Sequence, residues 1–182
     1  ENVYTASSKC KETKLVDDWV FWLESRPSEF GRTTLLIRRW GQSESCSFEL
    51  TPAPFNLRTR IHGYGGAPYA VECWLDELIV VWVDRSSGCL WKQSWKISND
   101  HLSGKIELNL KPLSQPICIS KKDKSYLGDG LIDLKRMRWL GLMEKEEQDF
   151  IVTFSLLEES QDPCIIYEAN GFLGYFKVNP SG

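Results

Sequence analysis

Long apolar runs are missing from this chain. No stretch approaches the roughly 18 residues of a membrane-spanning helix, and the opening ENVYTASSKCKETK holds no signal-peptide apolar region. Histidine is scarce, His62 and His101 being the two copies. Cysteine occurs six times but never as a CxxC pair: Cys10, Cys46, Cys73, Cys89, Cys118 and Cys164 are separated by 36, 27, 16, 29 and 46 residues. Structural zinc sites cluster their ligands at short spacing, so a metal site is disfavoured and no cofactor is expected. Reduced thiols in a cytoplasmic protein are the simpler reading. Excess positive charge is absent too, since 22 Lys and Arg face 25 Asp and Glu for a formal net charge of −3. That balance removes the attraction on which binding to nucleic acid or to an anionic membrane depends, so neither is an expected partner. The G-x-S-x-G nucleophile elbow is also lacking. The closest string, Gly41–Gln42–Ser43–Glu44–Ser45, has no second glycine and follows a hairpin strand, so no catalytic residue is expected in this chain.

What is present is 182 residues, 42% hydrophobic and 26% charged, the composition of one soluble globular domain or a piece of a larger one. The chain begins with Glu1 and not Met, as expected of a piece. Apolar stretches are short, rich in Val, Ile, Trp, Phe and Tyr, and broken by Gly, Pro, Asp, Asn or Ser, which predicts an all-β fold. Strands are expected at Trp19–Glu24, Thr33–Trp40, Cys46–Leu50, Ala67–Trp74, Leu78–Asp84, Cys89–Lys96, Ile106–Leu110, Lys135–Glu144, Asp149–Leu157, Pro163–Glu168 and Phe172–Val178. The best helical competitor, Phe150–Glu159, is read as strand.

Self-similarity organises these strands. WVFWLE at 19–24, IVVWVD at 79–84 and WLGLME at 139–144 superpose at an offset of sixty residues, each an apolar run ending in a carboxylate. TTLLIRRW at 33–40, CLWKQSWK at 89–96 and DFIVTFSL at 149–156 then supply the strand across a hairpin. LTPAP at 50–54 resembles LSQP at 113–116, and the NPSG turn at 179–182 is matched with the Asp17–Asp18 and Asp76–Glu77 turns. One unit is thus a four-stranded antiparallel sheet, and a β-propeller is the architecture that stacks such sheets radially. Contiguous apolar residues suit strands buried on both faces, and eight Trp suit sheets packed face to face.

Three such units cannot close a ring of the usual four to eight blades. The expectation is a partial propeller with blade units at about 1–55, 56–116 and 117–170 and the start of a next blade at 171–182, cut from a longer parent. Uncovered sheet faces make self-association of the piece an expectation.

Four segments carry a family resemblance: VFWLESRP (20–27), GRTTLLIRR (31–39), LTPAPFNLRTRIHGYGG (50–66) running into APYAV, and YLGDGLIDL (126–134). On these the sequence resembles the N-terminal β-propeller of the prolyl oligopeptidase family of serine peptidases, especially its acylaminoacyl-peptidase and dipeptidyl-aminopeptidase-like members. The most specific part is the ordered set Asn56, Arg58, Arg60, His62, Tyr64, Gly65 and Gly66. It departs from the family at Gly63, where members usually carry an acidic residue. The resemblance implies a cytoplasmic parent that acts on short or N-terminally blocked peptides and has a C-terminal α/β-hydrolase domain, which this chain lacks. It further implies that the propeller limits entry to oligopeptides and contributes to the substrate cavity.

Candidate substrate-cavity or domain-interface residues are Arg58, Arg60, His62 and Tyr64. The two arginines are suited to bidentate contact with a peptide carboxylate or a blocked N-terminus. The structural alternative pairs them with blade-edge carboxylates and lets Gly65 and Gly66 turn the chain into the next strand. A phosphate loop at GYGG fails, since no Lys or Ser/Thr follows and no helix opens there. Glu24, Asp84 and Glu144 recur at one position of each unit, either as a carboxylate set or as acceptors of hairpin amides. Lys121, Lys122 and Lys124 read as a solvated loop, and His101 as exposed and inert. A rival class is a stand-alone propeller or sandwich lectin-like module that recognises peptide or carbohydrate through exposed Trp40 and Trp95.

Overall fold

The computed structural model describes residues 9–42, 47–98, 109–174 and 176–179. These residues form thirteen strands and no α-helix: β1 (Lys9–Val16), β2 (Trp19–Arg26), β3 (Arg32–Arg39), β4 (Phe48–Glu49), β5 (Tyr69–Trp74), β6 (Glu77–Val83), β7 (Leu90–Ser98), β8 (Asn109–Pro112), β9 (Ile117–Cys118), β10 (Tyr126–Asp133), β11 (Arg138–Lys145), β12 (Gln148–Ser155) and β13 (Cys164–Glu168). They build three antiparallel sheets, β1-β2-β3-β4, β5-β6-β7-β8 with β9 also on β7, and β10-β11-β12-β13. The all-β partial propeller expected from the repeat is the fold class observed. By contacts the chain divides into two units, one carrying β1–β4 and running to Leu57, the other running on from Arg58 with the remaining sheets.

The sixty-residue repeat has a structural counterpart. The three apolar runs are β2, β6 and β11, each the second strand of its sheet and paired on both edges. Trp19 faces Arg39, Ile79 faces Ser94 and Trp139 faces Phe154. Leu78 to Val83 are buried at every position, as are Trp139 to Met143, so side chains on both faces of these strands leave water. The weaker match of LTPAP to LSQP does not carry over. The Leu50 amide donates to Leu35 O, whose counterpart by register is Leu90, and the amide on Leu90 O at 2.9 Å is that of Ile119. Leu113 donates instead to Ser94 O, further along the strand.

In the first unit, Arg32 organises the end of the β2–β3 hairpin. Its Nε lies 2.6 Å from Glu29, Nη2 lies 2.7 Å from Glu49, and Nη1 donates to the carbonyls of Thr51 and Phe55. A buried guanidinium is tolerated because every edge of its planar fork has an acceptor.

In the second unit the two sheets pack face to face. Ala70, Ile79, Val81, Val83, Leu90 and Ile119 meet Leu127, Ile132, Trp139, Met143, Val152 and Phe154 in one core. Two glycines make room for its largest member. A Cβ on Gly130 would lie 2.1 Å from the Trp139 indole, and one on Gly141 would lie 2.0 Å from it. Gly130 sits in a bulge where the β10–β11 register shifts between Gly128 and Leu131.

Several expected strands differ from those observed. Phe172–Val178 makes no ladder among its described residues: the Leu173 amide is taken by the Asp149 side chain at 2.7 Å, and no neighbouring strand pairs with the segment. The strand expected from Lys135 starts at Arg138, because Asp133 caps a 3-10 turn at Leu134–Arg136 and Met137 is left-handed at φ 48°. Cys46, residues 106–108 and Pro180–Gly182 of the NPSG turn lie outside the described residues. β1, β9 and β10 were unanticipated. β1 is a mostly exposed edge with little apolar character, and β10 carries two glycines, so neither has the apolar pattern of a strand.

Candidate functional site

The segment singled out by sequence, Arg58 to Gly66, runs extended and then turns. Its alternation sorts the side chains: Thr59 and Ile61 are buried, while Arg58 and Arg60 are exposed. Thr59 Oγ1 donates to the Leu127 carbonyl, and the Arg58 amide donates to Val83 O at 3.3 Å, so the stretch is tied to both sheets of its unit. A 3-10 turn follows at Ile61–Gly63. His62 is left-handed at φ 54° and Gly63 at φ 77°, and two consecutive positive φ values account for a glycine where an acidic side chain was expected. Gly65 is also left-handed at φ 92°. A Cβ on Gly66 would lie 2.5 Å from the Asp129 carboxylate, which accepts the Ala67 amide at 2.7 Å. The glycines thus serve close backbone approach on the way into β5.

The four candidate residues do not form one site. Arg58 and Arg60 line a cavity of about 700 Å³ together with Arg85, Lys124, Asp123 and Glu146. His62 leaves that cavity for the neighbouring sheet. Its amide donates to Glu144, its Nε2 lies 2.8 Å from Asp149 Oδ2, and its ring meets Phe172 edge-on at 5.2 Å. Tyr64 is exposed, its ring tilted 6.2 Å from that of His62. Among the described residues Arg58 and Arg60 make no ion pair, so the alternative that pairs them with blade-edge carboxylates does not describe them.

The recurrent carboxylates have separate employments. Asp84 accepts the Ser87 amide at 3.1 Å and the hydroxyls of Ser86 and Ser87, which is the hairpin role. Glu144 takes the His62 amide instead, and Glu24 lies 3.5 Å from Arg26. The lysine run is divided: Lys121 pairs with Asp162, Lys122 is exposed, and Lys124 lines the cavity. His101 and Ser43–Ser45 lie outside the described residues. Trp40 is 70% exposed, but Trp95 is 3% exposed and sits within its sheet, which removes it from any recognition surface. Burial, with Cys89 adjoining, pushes the Cys118 thiol up to about 11, so it stays protonated and unreactive at neutral pH. Arg85, Lys124 and Asp149 were not singled out beforehand as site residues. Only the Lys run hinted at one of them.

No family model matches the chain, and no curated protein matches it. Solved structures do. A puromycin-hydrolysing peptidase of Mycobacterium tuberculosis is similar at 23% identity and a TM-score of 0.62, over 82% of this chain and 20% of that one. Two crystal structures of puromycin hydrolase, one an alanine variant complexed with PGG, are similar at 21% identity and a TM-score of 0.58, over 83% of this chain and 22% of theirs. The chain therefore spans about a fifth of the length of the structures it matches. At these identities the likeness is one of fold alone, shared with a segment of those peptidases.

Proposed function

We propose that the chain is a non-catalytic propeller segment of a serine peptidase of the prolyl oligopeptidase type, acylaminoacyl-peptidase or dipeptidyl-aminopeptidase-like. Within the parent it gates entry and helps to form the cavity for short peptides. A ring with a narrow mouth rejects folded proteins by size and admits oligopeptides. The carrying observation is the likeness to peptidases over 82% of this chain but 20% of theirs, which leaves room for a catalytic domain elsewhere in the parent. The sequence resemblance reaches the same family independently. Its partners are a C-terminal α/β-hydrolase domain and the remaining blades, with blade units near 1–55, 56–116 and 117–170 and a further blade begun at 171–182. Arg58, Arg60, His62 and Tyr64 belong to the face that meets the substrate cavity or that domain. The described cysteines are free thiols, which supports a cytoplasmic setting, and no described helix is long and apolar enough to cross a membrane. Strand β13 exposes Ile165, Ile166 and Tyr167, which supports self-association of the isolated chain.

The test is the coding sequence downstream of Gly182 together with a fluorophosphonate serine probe. Further sixty-residue units followed by G-x-S-x-G are expected, with labelling of the longer product and none of this chain. A stop codon at that point, or labelling of the 182-residue chain, would refute the reading.

A further inference from the structure

The cavity lined by Arg58 and Arg60 is built from segments far apart in sequence, all within the second unit. Arg58 and Arg60 precede β5, Arg85 lies in the β6–β7 turn, Lys124 precedes β10 and Glu146 lies in the β11–β12 turn. Four cationic side chains converge there in a chain whose net charge is −3. Among the described residues none of the four makes an ion pair or a side-chain hydrogen bond. Structural arginines in this protein behave differently. Arg32 is bound by Glu29 and Glu49, and Arg136 and Arg138 share Asp133.

Two carboxylates also line the cavity, and they do not neutralise it. Asp123 is taken by the Ser125 amide at 2.9 Å, by the Ser125 hydroxyl and by Lys145 at 3.4 Å. Glu146 is then the one carboxylate left against four cations. Counting both acids, the lining carries an excess of two positive charges.

We propose that this cavity is a binding site for a phosphate group carrying two negative charges, either inorganic phosphate or the phosphate of a small organic ester. A single guanidinium fork satisfies a carboxylate, which offers two oxygens and one charge. Three arginines and a lysine around one space suit a tetrahedral dianion, whose several oxygens accept from several directions. A volume of about 700 Å³ is within the range of small-ligand clefts and leaves room for the organic part of an ester. Tyr126, partly exposed on the same lining, offers that part an aromatic surface. The site needs neither a Gly-rich phosphate loop nor a helix N-terminus. It shares Arg58 and Arg60 with the face assigned above to the substrate cavity or domain interface, but every group it uses is in this chain, so it is tested without the hydrolase domain.

The experiment is calorimetric titration of the 182-residue chain with inorganic phosphate, glycerol phosphate and triglycine, at constant ionic strength set with sodium chloride. Saturable 1:1 binding of one or both phosphates is expected, with triglycine at least about tenfold weaker. Tighter binding of glycerol phosphate assigns the site to an organic ester, and tighter binding of the free ion assigns it to inorganic phosphate. Arg60→Ala and Arg85→Ala are each expected to weaken phosphate binding about tenfold, and Lys111→Ala to leave it unchanged. Affinity for the ester should rise between pH 5 and pH 7 as its second proton leaves, near pH 6. The absence of saturable phosphate binding, or triglycine binding as tightly as phosphate, overturns the proposal on the wild-type chain alone. So does retention of phosphate affinity in both arginine variants. None of these outcomes bears on whether a hydrolase domain follows.

Discussion

His62 Nε2 stands 2.8 Å from Asp149 Oδ2, joining the turn before β5 to the first residues of β12 on the neighbouring sheet. Asp149 is buried and also accepts the Leu173 amide, while the His62 side chain is 10% exposed. Replacing His62 by Ala removes one of the two donors on Asp149 Oδ2, the Leu173 amide remaining, and is expected to cost about 1 kcal/mol. His62→Asn, which keeps a donor, should cost less. Urea unfolding of both variants checks the order, and equal losses would remove the role given to the ring nitrogen.

Trp139 fills the core of the second unit because Gly130 and Gly141 leave its indole space. A methyl at Gly141 would force the ring out of place, so Gly141→Ala is expected to destabilise by about 1–3 kcal/mol. Gly171 has nothing within 4 Å of a built Cβ, and Gly171→Ala should stay within about 0.5 kcal/mol of wild type. Thermal unfolding followed by near-ultraviolet circular dichroism reads both.

Arg32 holds Glu29, Glu49 and two backbone carbonyls from a buried position. Arg32→Ala takes a donor from Glu49 Oε1 and from the Phe55 and Thr51 carbonyls, though Arg26 still reaches Glu49 Oε2 and Thr34 still reaches Thr51 O, and is expected to cost about 2 kcal/mol. Arg32→Lys should rescue little of this, since one ammonium cannot reproduce the fork. Arg39 pairs with the exposed Asp18, so Arg39→Ala should cost at most about 1 kcal/mol. Denaturant midpoints of the three variants give the comparison.

Acid should weaken the second unit through Asp133. Burial would raise its carboxyl, but hydrogen bonds from Arg138 and Arg136 outweigh that and hold it below the ordinary carboxylate range. A folded pKa below the unfolded value near 3.9 gives stability that is complete above that value and is lost as pH falls through the lower one. The urea midpoint is therefore expected to drop below about pH 4, and Asp133→Asn to flatten that part of the profile. An unchanged slope in the variant would assign the acid sensitivity to other carboxylates. Asp123 is one candidate: burial raises its carboxyl, but Ser125 and Lys145 lower it further.

Sequence alone was sufficient for the all-β class and for the sixty-residue repeat. Strands β2, β6 and β11 are contiguous apolar runs buried on both faces, and such runs survive as a pattern without any knowledge of their neighbours. Tertiary structure alone decided the rest. Arg85 and Lys124 join Arg58 and Arg60 across dozens of intervening residues, and Asp149 reaches His62 from 87 residues away. Gly130 and Gly141 acquire their meaning only from the indole of Trp139. Local propensity is set by neighbours along the chain, whereas a cavity, a buried ion contact or a steric allowance is set by which faces the packed sheets bring together.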